Sequence, residues 1–420
     1  MDQKEWIRGV NIGGWLLAER FITPYLFAVN SCHLQGDLCW YPGQVGAPKN
    51  AILCSAECEP VTTVSTSDSN ADFKPRISHH FEGYPIDELT LGQAFVQKEI
   101  GQKYMERHWD TFVTREDLVR LKEAGVTHMR VPMSYWIRGD IQEGESWIPG
   151  AWPYFVRFAK WSREIGLEIW ADLHGAPGSE NGFDNSGHYE GSPTCEGWQS
   201  SAENVQRTLD IIKDIADGLV EEGLNDVVTG FGVLNEPFSC ELGNLQRYYD
   251  DAFEIVRSTM GADTAIFVGD NFYGGQFNTG FWTDTDTHYN TYLDTHPYHV
   301  FFEKGRAFTP KQHIAYTCRH TFAEVTACCW DDAPANTIPS KGISRIIGEW
   351  SAAYDVLPTA LAPAIMTAIA ENGVAPYLNR TLSPERHGFM RNFVEAQMVT
   401  YESDITGVSS GWLFWNFKME

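Results

Sequence analysis

The sequence lacks the long apolar segments that membrane proteins have. It contains no apolar run of about 18 or more residues, the length that a transmembrane helix requires. Residues 1–4 lack the basic segment and the apolar stretch of a secretory signal peptide and lead directly into a strand-like run. Two interpretations stay open: a leader was removed from this sequence, or the protein acts inside the cell.

Basic residues are also scarce. The 420 residues include 31 Lys and Arg against 56 Asp and Glu, a formal net charge of −25. Because this charge repels phosphate backbones and anionic membrane surfaces, nucleic acid is not expected as a partner. Hydrophobic residues make up 43% and charged residues 21% of the chain, which allows a large core and excludes a wholly disordered protein.

Cysteine is more informative. Nine cysteines are present, an odd number, and four of them cluster in a Gly-, Pro- and Ser-rich stretch: Cys32, Cys39, Cys54 and Cys58. The cluster lacks the regular paired spacing of zinc ribbons. Disulfides are favoured, because loop-rich cysteine clusters staple irregular segments in oxidising compartments. The pairing stays open at this stage.

Eight β-rich runs alternate with amphipathic helical stretches along the chain. They cover residues 7–13, 127–133, 168–174, 228–236, 265–270, 291–298, 345–350 and 411–417. Residues 115–124 and 202–222 have apolar residues at helical spacing, with a glycine at or just after their ends. Eight strand and helix units close most simply into a barrel, because nothing marks the reversal that an open sheet needs. The sequence therefore predicts a (β/α)8 TIM barrel.

Residues from about 30 to about 94 do not fit this repeat. They are rich in Pro, Gly, Ser and Thr and contain the clustered cysteines. We interpret them as an insertion after the first strand of a single catalytic barrel domain that spans residues 1–420. Because the insertion follows a strand, it is expected on the rim that carries the active site.

Polar residues collect where the predicted strands end, and active sites of such barrels form there. Each has an ordinary structural explanation alone, but packing gives no reason for titratable groups to gather on one rim. Glu236 and Glu349 end strands four and seven, where two carboxylates suit attack on an anomeric carbon and protonation of the leaving oxygen. Metal-dependent hydrolysis competes with this interpretation, but no histidine pair at metal-ligand spacing accompanies these acids, so neither metal nor cofactor is expected.

Four segments carry specific motifs: residues 8–15 (RGVNIGGW), 172–187 (DLHGAPGSENGFDNSG), 235–237 (NEP) and 347–351 (IGEWS). Together they resemble glycoside hydrolase family 5 and, within it, the fungal-type exo-β-1,3-glucanases. The long run from 172 to 187 is much more specific than Asn-Glu-Pro. The resemblance covers most of the chain outside the insertion.

The resemblance implies a retaining double displacement that releases glucose from the non-reducing end of a β-1,3-glucan, with Glu236 as acid/base and Glu349 as nucleophile. It implies that six further residues line the subsite of the cleaved sugar: Arg130, His174, Asn235, His296, Tyr298 and Trp415. Asn185, in the long motif, is a further candidate for substrate binding. Arg130 and Tyr298 are expected to keep Glu349 ionised, and the charge on Glu349 to keep Glu236 protonated. Trp415 is expected to be the sugar platform.

Three residues are assigned by the resemblance alone. Glu19 matches a carboxylate that binds hydroxyls of the terminal glucose, and Phe183 and Phe301 match an aromatic pair at the pocket mouth. Arg20 and Phe21 depart from the family pattern, which has a Pro-aromatic pair after that glutamate. The long insertion and the point at which the chain ends are the other departures.

Other specificities of the same family stay open, namely β-1,6-glucanase, endo-glucanase and glycolipid β-glucosidase. A non-catalytic glycan-binding barrel is the alternative from a different class, but a binding protein has no need of both Glu236 and Glu349. A β-glucan is therefore the expected partner. The chain is expected to be a monomer that acts outside the cell or in the cell wall.

Overall fold

The computed structural model describes residues 6–27, 39–40, 52–53, 85–95, 98–190, 194–272, 282, 286–301, 305, 307–318, 344–354, 383–402 and 409–419. Eight parallel strands in these ranges form a closed barrel: β1 (Ile7–Asn11), β2 (His128–Met133), β3 (Glu168–Leu173), β4 (Val228–Gly232), β5 (Ala265–Gly269), β6 (Thr291–Thr295), β7 (Ser344–Trp350) and β8 (Gly411–Phe414). Neighbours around the ring follow chain order, and β1 closes the ring by pairing with both β2 and β8. The predicted (β/α)8 barrel is confirmed.

Helices occupy the connections between the strands. They are α1 (Glu88–Ala94), α2 (Lys98–Thr111), α3 (Arg115–Glu123), α4 (Trp152–Ile165), α5 (Ala202–Glu221), α6 (Leu242–Met260), α7 (Pro310–Tyr316) and α8 (Pro384–Tyr401). Shorter pieces are the helix Pro24–Phe27, the 3-10 turn Asp184–Ser186, and a parallel strand pair of Cys39–Trp40 with Ile52–Leu53. No helix in the described ranges is long and apolar enough to cross a membrane.

The two helices expected from the sequence form where predicted, to within one residue at their C-terminal ends. At α3, the hydroxyl of Thr114 accepts from the backbone N–H of Asp117 at 3.3 Å, and the Asp117 carboxylate accepts from the Thr114 N–H at 3.0 Å. Leu118 is buried against the core. Gly125 has a φ of +87°, a left-handed conformation that glycine adopts without steric cost, and the chain turns there towards β2.

Helix α5 buries the apolar stripe that its sequence predicts. Its buried members are Leu209, Ile211, Ile212, Ile215 and Leu219. Each side chain buried in this way contributes roughly 1.5–3 kcal/mol through removal of apolar surface from water. Ser201 caps the helix by accepting from the backbone N–H of Asn204 at 3.2 Å. Packing and capping together fix the segment that leads into β4.

Most strands that face the site end earlier than predicted. Strand β4 ends at Gly232 instead of residue 236, and β6 ends at Thr295 instead of residue 298. Glu236 has a φ of +44°, so the chain has left the extended conformation by that point. Apolar patterning does not show where ladder pairing stops. Several candidate site residues therefore stand on loops that follow the strands, on the C-terminal rim of the barrel.

The described end of the predicted insertion contacts the C-terminal rim of the barrel. Glu88, in α1, accepts from the backbone N–H of Ala18 at 2.6 Å, one residue before Glu19. Asp87, which caps α1, accepts from the backbone N–H of Tyr189 at 2.7 Å. Helix α1 thus ties two rim segments together.

A disulfide joins Cys195 to Cys240 in the described part of the chain. The pair confirms that this chain forms a disulfide, whereas disulfides within the cysteine cluster stay a prediction. The remaining cysteines other than Cys39 and Cys318 lie outside the described residues: Cys32, Cys54, Cys58, Cys328 and Cys329. Cys318 is exposed and has no disulfide partner within the part of the chain that the structure describes.

Candidate active site

Arg130, on β2, is the centre of the site and is buried. Its Nη1 donates to Glu349 Oε1 at 2.7 Å and to Asn11 Oδ1 at 3.0 Å. Its Nη2 donates to Asn235 Oδ1 at 2.7 Å and lies 2.9 Å from Asp172 Oδ1. Burial opposes the charge, but these carboxylates raise the pKa of Arg130 above its ordinary value. A rigid, charged fork therefore sets the positions of side chains from four other segments.

The two candidate catalytic carboxylates share one histidine. Nδ1 of His296 lies 2.8 Å from Glu236 Oε1 and 3.6 Å from Glu349 Oε2. The Tyr298 hydroxyl donates to Glu349 Oε2 at 2.8 Å, and the Asn185 amide donates to Glu236 Oε2 at 3.0 Å. With the arginine contact, each of the four carboxylate oxygens has a partner. The structure thus brings together the site residues predicted from four different strand ends.

The charges of this group are strongly coupled. Burial raises the pKa of Glu236, but the hydrogen bond and the charge of His296 outweigh it and lower that pKa. Burial lowers the pKa of His296, but the charges of Glu349 and Asp294 raise it well above the ordinary value. Burial raises the pKa of Glu349 despite His296 and Arg130. These directions differ from the expected ones, in which Arg130 keeps Glu349 ionised and Glu349 keeps Glu236 protonated. The difference at Glu236 arises because His296 lowers its pKa, and the difference at Glu349 arises because burial raises its pKa.

His174 follows β3 and occupies the other side of the site. Its Nδ1 lies 2.7 Å from Asp172 Oδ2, and its Nε2 lies 3.4 Å from the Asn235 amide nitrogen. Its ring is nearly parallel to that of Trp415, at 10° with centroids 5.7 Å apart. A Cβ on Gly13 would come within 2.5 Å of the Trp415 ring, so this close approach requires glycine.

Three buried polar residues of the site have no role in the sequence-based prediction, namely Asn11, Asp172 and Asp294. Asn11 donates to the backbone oxygen of Gly348 at 2.8 Å, and Asp294 Oδ2 lies 3.4 Å from Nε2 of His296. The signal that marks them is a polar residue inside a strand that is otherwise apolar, since such a strand must find every buried polar group a partner.

Glu19 lies within electrostatic range of Glu349 and Glu236 and has one unpaired carboxyl oxygen. Burial and the charges of Glu349, Asp184 and Glu236 raise its pKa well above the ordinary value. Its Oε1 is buried and has no hydrogen-bond partner among the described residues. Because an unpaired buried oxygen is costly, this atom is suited to a ligand hydroxyl. Arg20, the departure from the family pattern, pairs with Asp184 (Nε to Oδ2, 3.2 Å).

The two aromatic residues expected at the pocket mouth each pack against another ring. The Phe183 ring packs edge-on against Phe272, with centroids 6.2 Å apart. The Phe301 ring packs against Tyr298 at 5.1 Å and is 71% exposed. Phe272, which follows β5, is an aromatic neighbour of Phe183 that the sequence analysis missed, because nothing in its local sequence distinguishes it from a core phenylalanine.

The shared histidine also bears on metal binding. Ligand atoms of Glu236, His296 and Glu349 all lie within 4.8 Å of one another, and in the described ranges they are the one group of three with such spacing. His296 Nδ1 and Glu236 Oε1 already satisfy each other through a hydrogen bond. The expectation of metal-free catalysis stays a prediction.

Known proteins match this chain over most of its length. A glucan 1,3-beta-glucosidase from Lachancea kluyveri is 28% identical over 99% of this chain and 83% of its own length. A probable glucan 1,3-beta-glucosidase A from Aspergillus fumigatus is 29% identical over 100% of this chain and 84% of its own.

A solved rutinosidase from Aspergillus niger has a similar fold, with a TM-score of 0.60 at 17% identity over 100% of this chain and 92% of that one. The profile of the Cellulase family, glycosyl hydrolase family 5, matches residues 94–379, which is more than half of the chain. With this match on a closed barrel that carries Glu236 and Glu349 on its rim, the chain belongs to glycosyl hydrolase family 5.

Proposed function

We propose that the chain is a retaining exo-β-1,3-glucanase that releases glucose from the non-reducing end of its substrate. Retention of configuration is inferred from the short distance between Glu236 and Glu349, which each have a carboxylate oxygen within 4.8 Å of the other's. Retaining glycosidases hold these carboxyl groups about 5–5.5 Å apart, whereas inverting enzymes need about 6.5–9.5 Å to admit a water. The names of the relatives support the glucan linkage.

In the first proposed step, a carboxylate oxygen of Glu349 attacks the anomeric carbon while Glu236 donates a proton to the glycosidic oxygen. The C–O bond to the leaving sugar breaks, and a glycosyl ester forms on Glu349. Hydrogen bonds from Arg130 and Tyr298 hold both oxygens of the nucleophile in place. Asn185 and His296 hold Glu236 on the opposite side.

In the second step, Glu236 removes a proton from a water molecule that attacks the same carbon. The ester bond to Glu349 breaks, and glucose leaves with the configuration that it had in the substrate. The flat face of Trp415, beside His174, supplies a platform for the sugar ring. Phe183 and Phe301 are proposed to hold the following sugar at the mouth.

The proposal of exo action rests on Glu19. Its buried, unpaired Oε1 is suited to a hydroxyl of the terminal glucose, and the ion pair of Arg20 with Asp184 stands beside it. Such a carboxylate recognises a chain end because internal sugars lack the free hydroxyl at that place. The disulfide between Cys195 and Cys240 supports action in an oxidising compartment, outside the cell or in the cell wall.

The deciding experiment is a time course of laminarin hydrolysis followed by proton NMR. We expect glucose alone among the early products, with the β-anomer appearing first. A ladder of oligosaccharides would indicate endo action, and slow turnover beside rapid hydrolysis of β-1,6-glucan or glucosylceramide would assign one of the other specificities. Sedimentation of the purified protein tests the proposed monomer.

The role of Glu19 is tested by Glu19→Ala. We expect kcat/KM for laminaribiose to fall by at least about tenfold, because the variant has no side-chain oxygen to bind the sugar hydroxyl. The control is Glu164→Ala, at a side chain that is 60% exposed on α4. Equal activity of both variants would contradict the proposed contact with the terminal sugar.

A further inference from the structure

The hydrogen bonds around Arg130 determine where other protons lie. A guanidinium group only donates, and each Nη carries two hydrogens. Nη1 uses its two on Glu349 and Asn11. Nη2 donates to Asn235 Oδ1 at 2.7 Å and forms an ion pair with Asp172 Oδ1 at 2.9 Å. Both atoms that face Nη2 must therefore be acceptors.

This requirement orients the Asn235 amide. Its oxygen faces Arg130, so its nitrogen is the atom that lies 3.4 Å from Nε2 of His174. An amide nitrogen donates, and Nε2 must offer a lone pair to accept. The ring proton of His174 is then on Nδ1, which lies 2.7 Å from Asp172 Oδ2.

The four side chains form a closed ring of polar contacts, from Arg130 to Asn235, His174, Asp172 and back to Arg130. All four are buried. A Cβ on Gly232 would come within 2.6 Å of Asp172 Oδ1, so the carboxylate takes this place only beside a glycine. Asp172 is the one anion in the ring, and it lies against His174 at one end and forms an ion pair with Arg130 at the other.

The same contacts distinguish the neutral ring from an imidazolium. An imidazolium would set its Nε2–H against the Asn235 N–H, and two donors in contact repel. The donor pattern of Arg130 therefore decides in favour of the neutral ring.

We propose that Asp172 is a positioning residue of the reaction, which fixes the Nδ1–H tautomer of His174 and through it the amide of Asn235. One amide hydrogen of Asn235 is then used on His174, and the other is left to donate to the substrate. In retaining glycosidases, hydrogen bonds to the 2-hydroxyl strengthen in the transition state. This consequence rests on the proposed function, whereas the tautomer itself does not.

The tautomer is measured in the parent protein by ¹⁵N-histidine NMR, with the His174 signals identified by their loss in His174→Gln. We expect a protonated Nδ1 and an unprotonated Nε2 at the pH of maximal activity. An Nε2–H tautomer, or protons on both nitrogens, would overturn the proposal. This measurement does not depend on any substrate, so it stands even if the glucan assignment fails.

The catalytic consequence is tested with Asp172→Asn. Because Arg130 only donates, the new amide must turn its oxygen to Arg130 and its nitrogen to His174, which moves the ring proton to Nε2. The readout is the ratio of kcat/KM for an aryl β-glucoside to that for its 2-deoxy analogue. We expect this ratio to fall by about tenfold, since one hydrogen bond to the hydroxyl is lost.

The matched control is Asp294→Asn. Asp294 also flanks Arg130, with Oδ2 3.8 Å from Nε, and also approaches a histidine, but it has no contact with His174 or Asn235. Its variant is expected to lose activity on both substrates equally and to keep the ratio. Equal ratios in the parent and Asp172→Asn would overturn the proposal. If Asp172→Asn does not fold, the tautomer in the parent decides.

Discussion

Nδ1 of His296 lies 2.8 Å from Oε1 of Glu236. Burial opposes a charged imidazole, but the surrounding carboxylates raise the pKa of His296 well above its ordinary value. Burial likewise opposes ionisation of Glu236, yet His296 lowers the pKa of that carboxyl. The two residues together therefore hold one proton, which is on the imidazole in the free protein. Its transfer to Oε1 creates the acid that the proposed first step requires.

Replacing His296 by glutamine is expected to move the alkaline limb of the pH–rate profile to lower pH by at least about one unit. In the parent, the raised pKa of His296 keeps the proton on the pair as the pH rises. In the variant, only Glu236 can hold it, and a carboxyl releases its proton at lower pH than this imidazolium does. The profile of kcat/KM on an aryl glucoside tests this, and an unmoved limb would contradict it.

The separate roles of the two glutamates are tested by azide rescue. Glu349→Ala and Glu236→Ala are each expected to lose activity by at least about a thousandfold. Azide attacks the substrate directly in Glu349→Ala and should yield α-glucosyl azide. In Glu236→Ala it attacks the glycosyl ester and should yield the β-anomer. NMR of the products decides, and the same anomer from both variants would reject the assignment.

Tyr298→Phe removes the hydroxyl that donates to Oε2 of Glu349 at 2.8 Å. We expect kcat to fall by about 10- to 100-fold with a smaller change in KM, because the carboxylate is misplaced more in the transition state than in the substrate complex. The control is Tyr289→Phe, at an exposed ring 43% accessible to solvent. A Tyr298→Phe variant with unchanged kcat would show that this hydrogen bond is dispensable.

We predict that ionisation of the buried Glu88 destabilises the protein at alkaline pH. Burial raises its pKa to about 8, above the value of about 4.3 in the unfolded chain. The stability that its protonated form contributes is present below that unfolded pKa and is lost as the pH rises through about 8. Glu88→Gln keeps an acceptor for Ala18 and should raise Tm by several degrees at about pH 9, with little effect near pH 4.

Glu168 is the control for this prediction, because its pKa is shifted in the opposite direction. The hydrogen bond with His128, helped by Thr229, lowers its pKa to about 2 although burial opposes this. Its contribution is present above the unfolded pKa and is lost as the pH falls towards about 2. Since the group is half exposed, Glu168→Gln should lower stability by no more than about 1 kcal/mol at neutral pH. Equal pH dependence in both variants would contradict both assignments.

The disulfide between Cys195 and Cys240 closes a segment with a sequence separation of 45. We expect the double variant Cys195→Ser with Cys240→Ser to lose about 2–4 kcal/mol of unfolding free energy, because the unfolded chain gains conformational freedom. Urea denaturation measures this. Cys318→Ser, at an exposed cysteine, should give no shift.

Much of the barrel could be predicted because its signals are local. The apolar stripe of α5 and the glycine that follows α3 mark helices within a few residues of chain. Glu236 and Glu349 could be found because parallel strands bring their carboxyl ends to one rim, so position along each strand already implies proximity.

Other features had no local signal. Phe183 packs against Phe272, and Cys195 pairs with Cys240 and not with a clustered cysteine. Strand β4 ends at Gly232, because the chain turns away from the ladder before Glu236. These outcomes depend on which segments meet, and residue type does not encode that.

By itself, the sequence determined that this chain forms a (β/α)8 barrel with two glutamates on one rim, since strand periodicity and strand order suffice for both. Only the tertiary structure decided how those acids are supported. Arg130 meets Glu349 across 219 positions of chain and Asn235 across 105. Such contacts exist only after the barrel closes, because closure alone brings the ends of distant strands within hydrogen-bond reach and excludes water from between them.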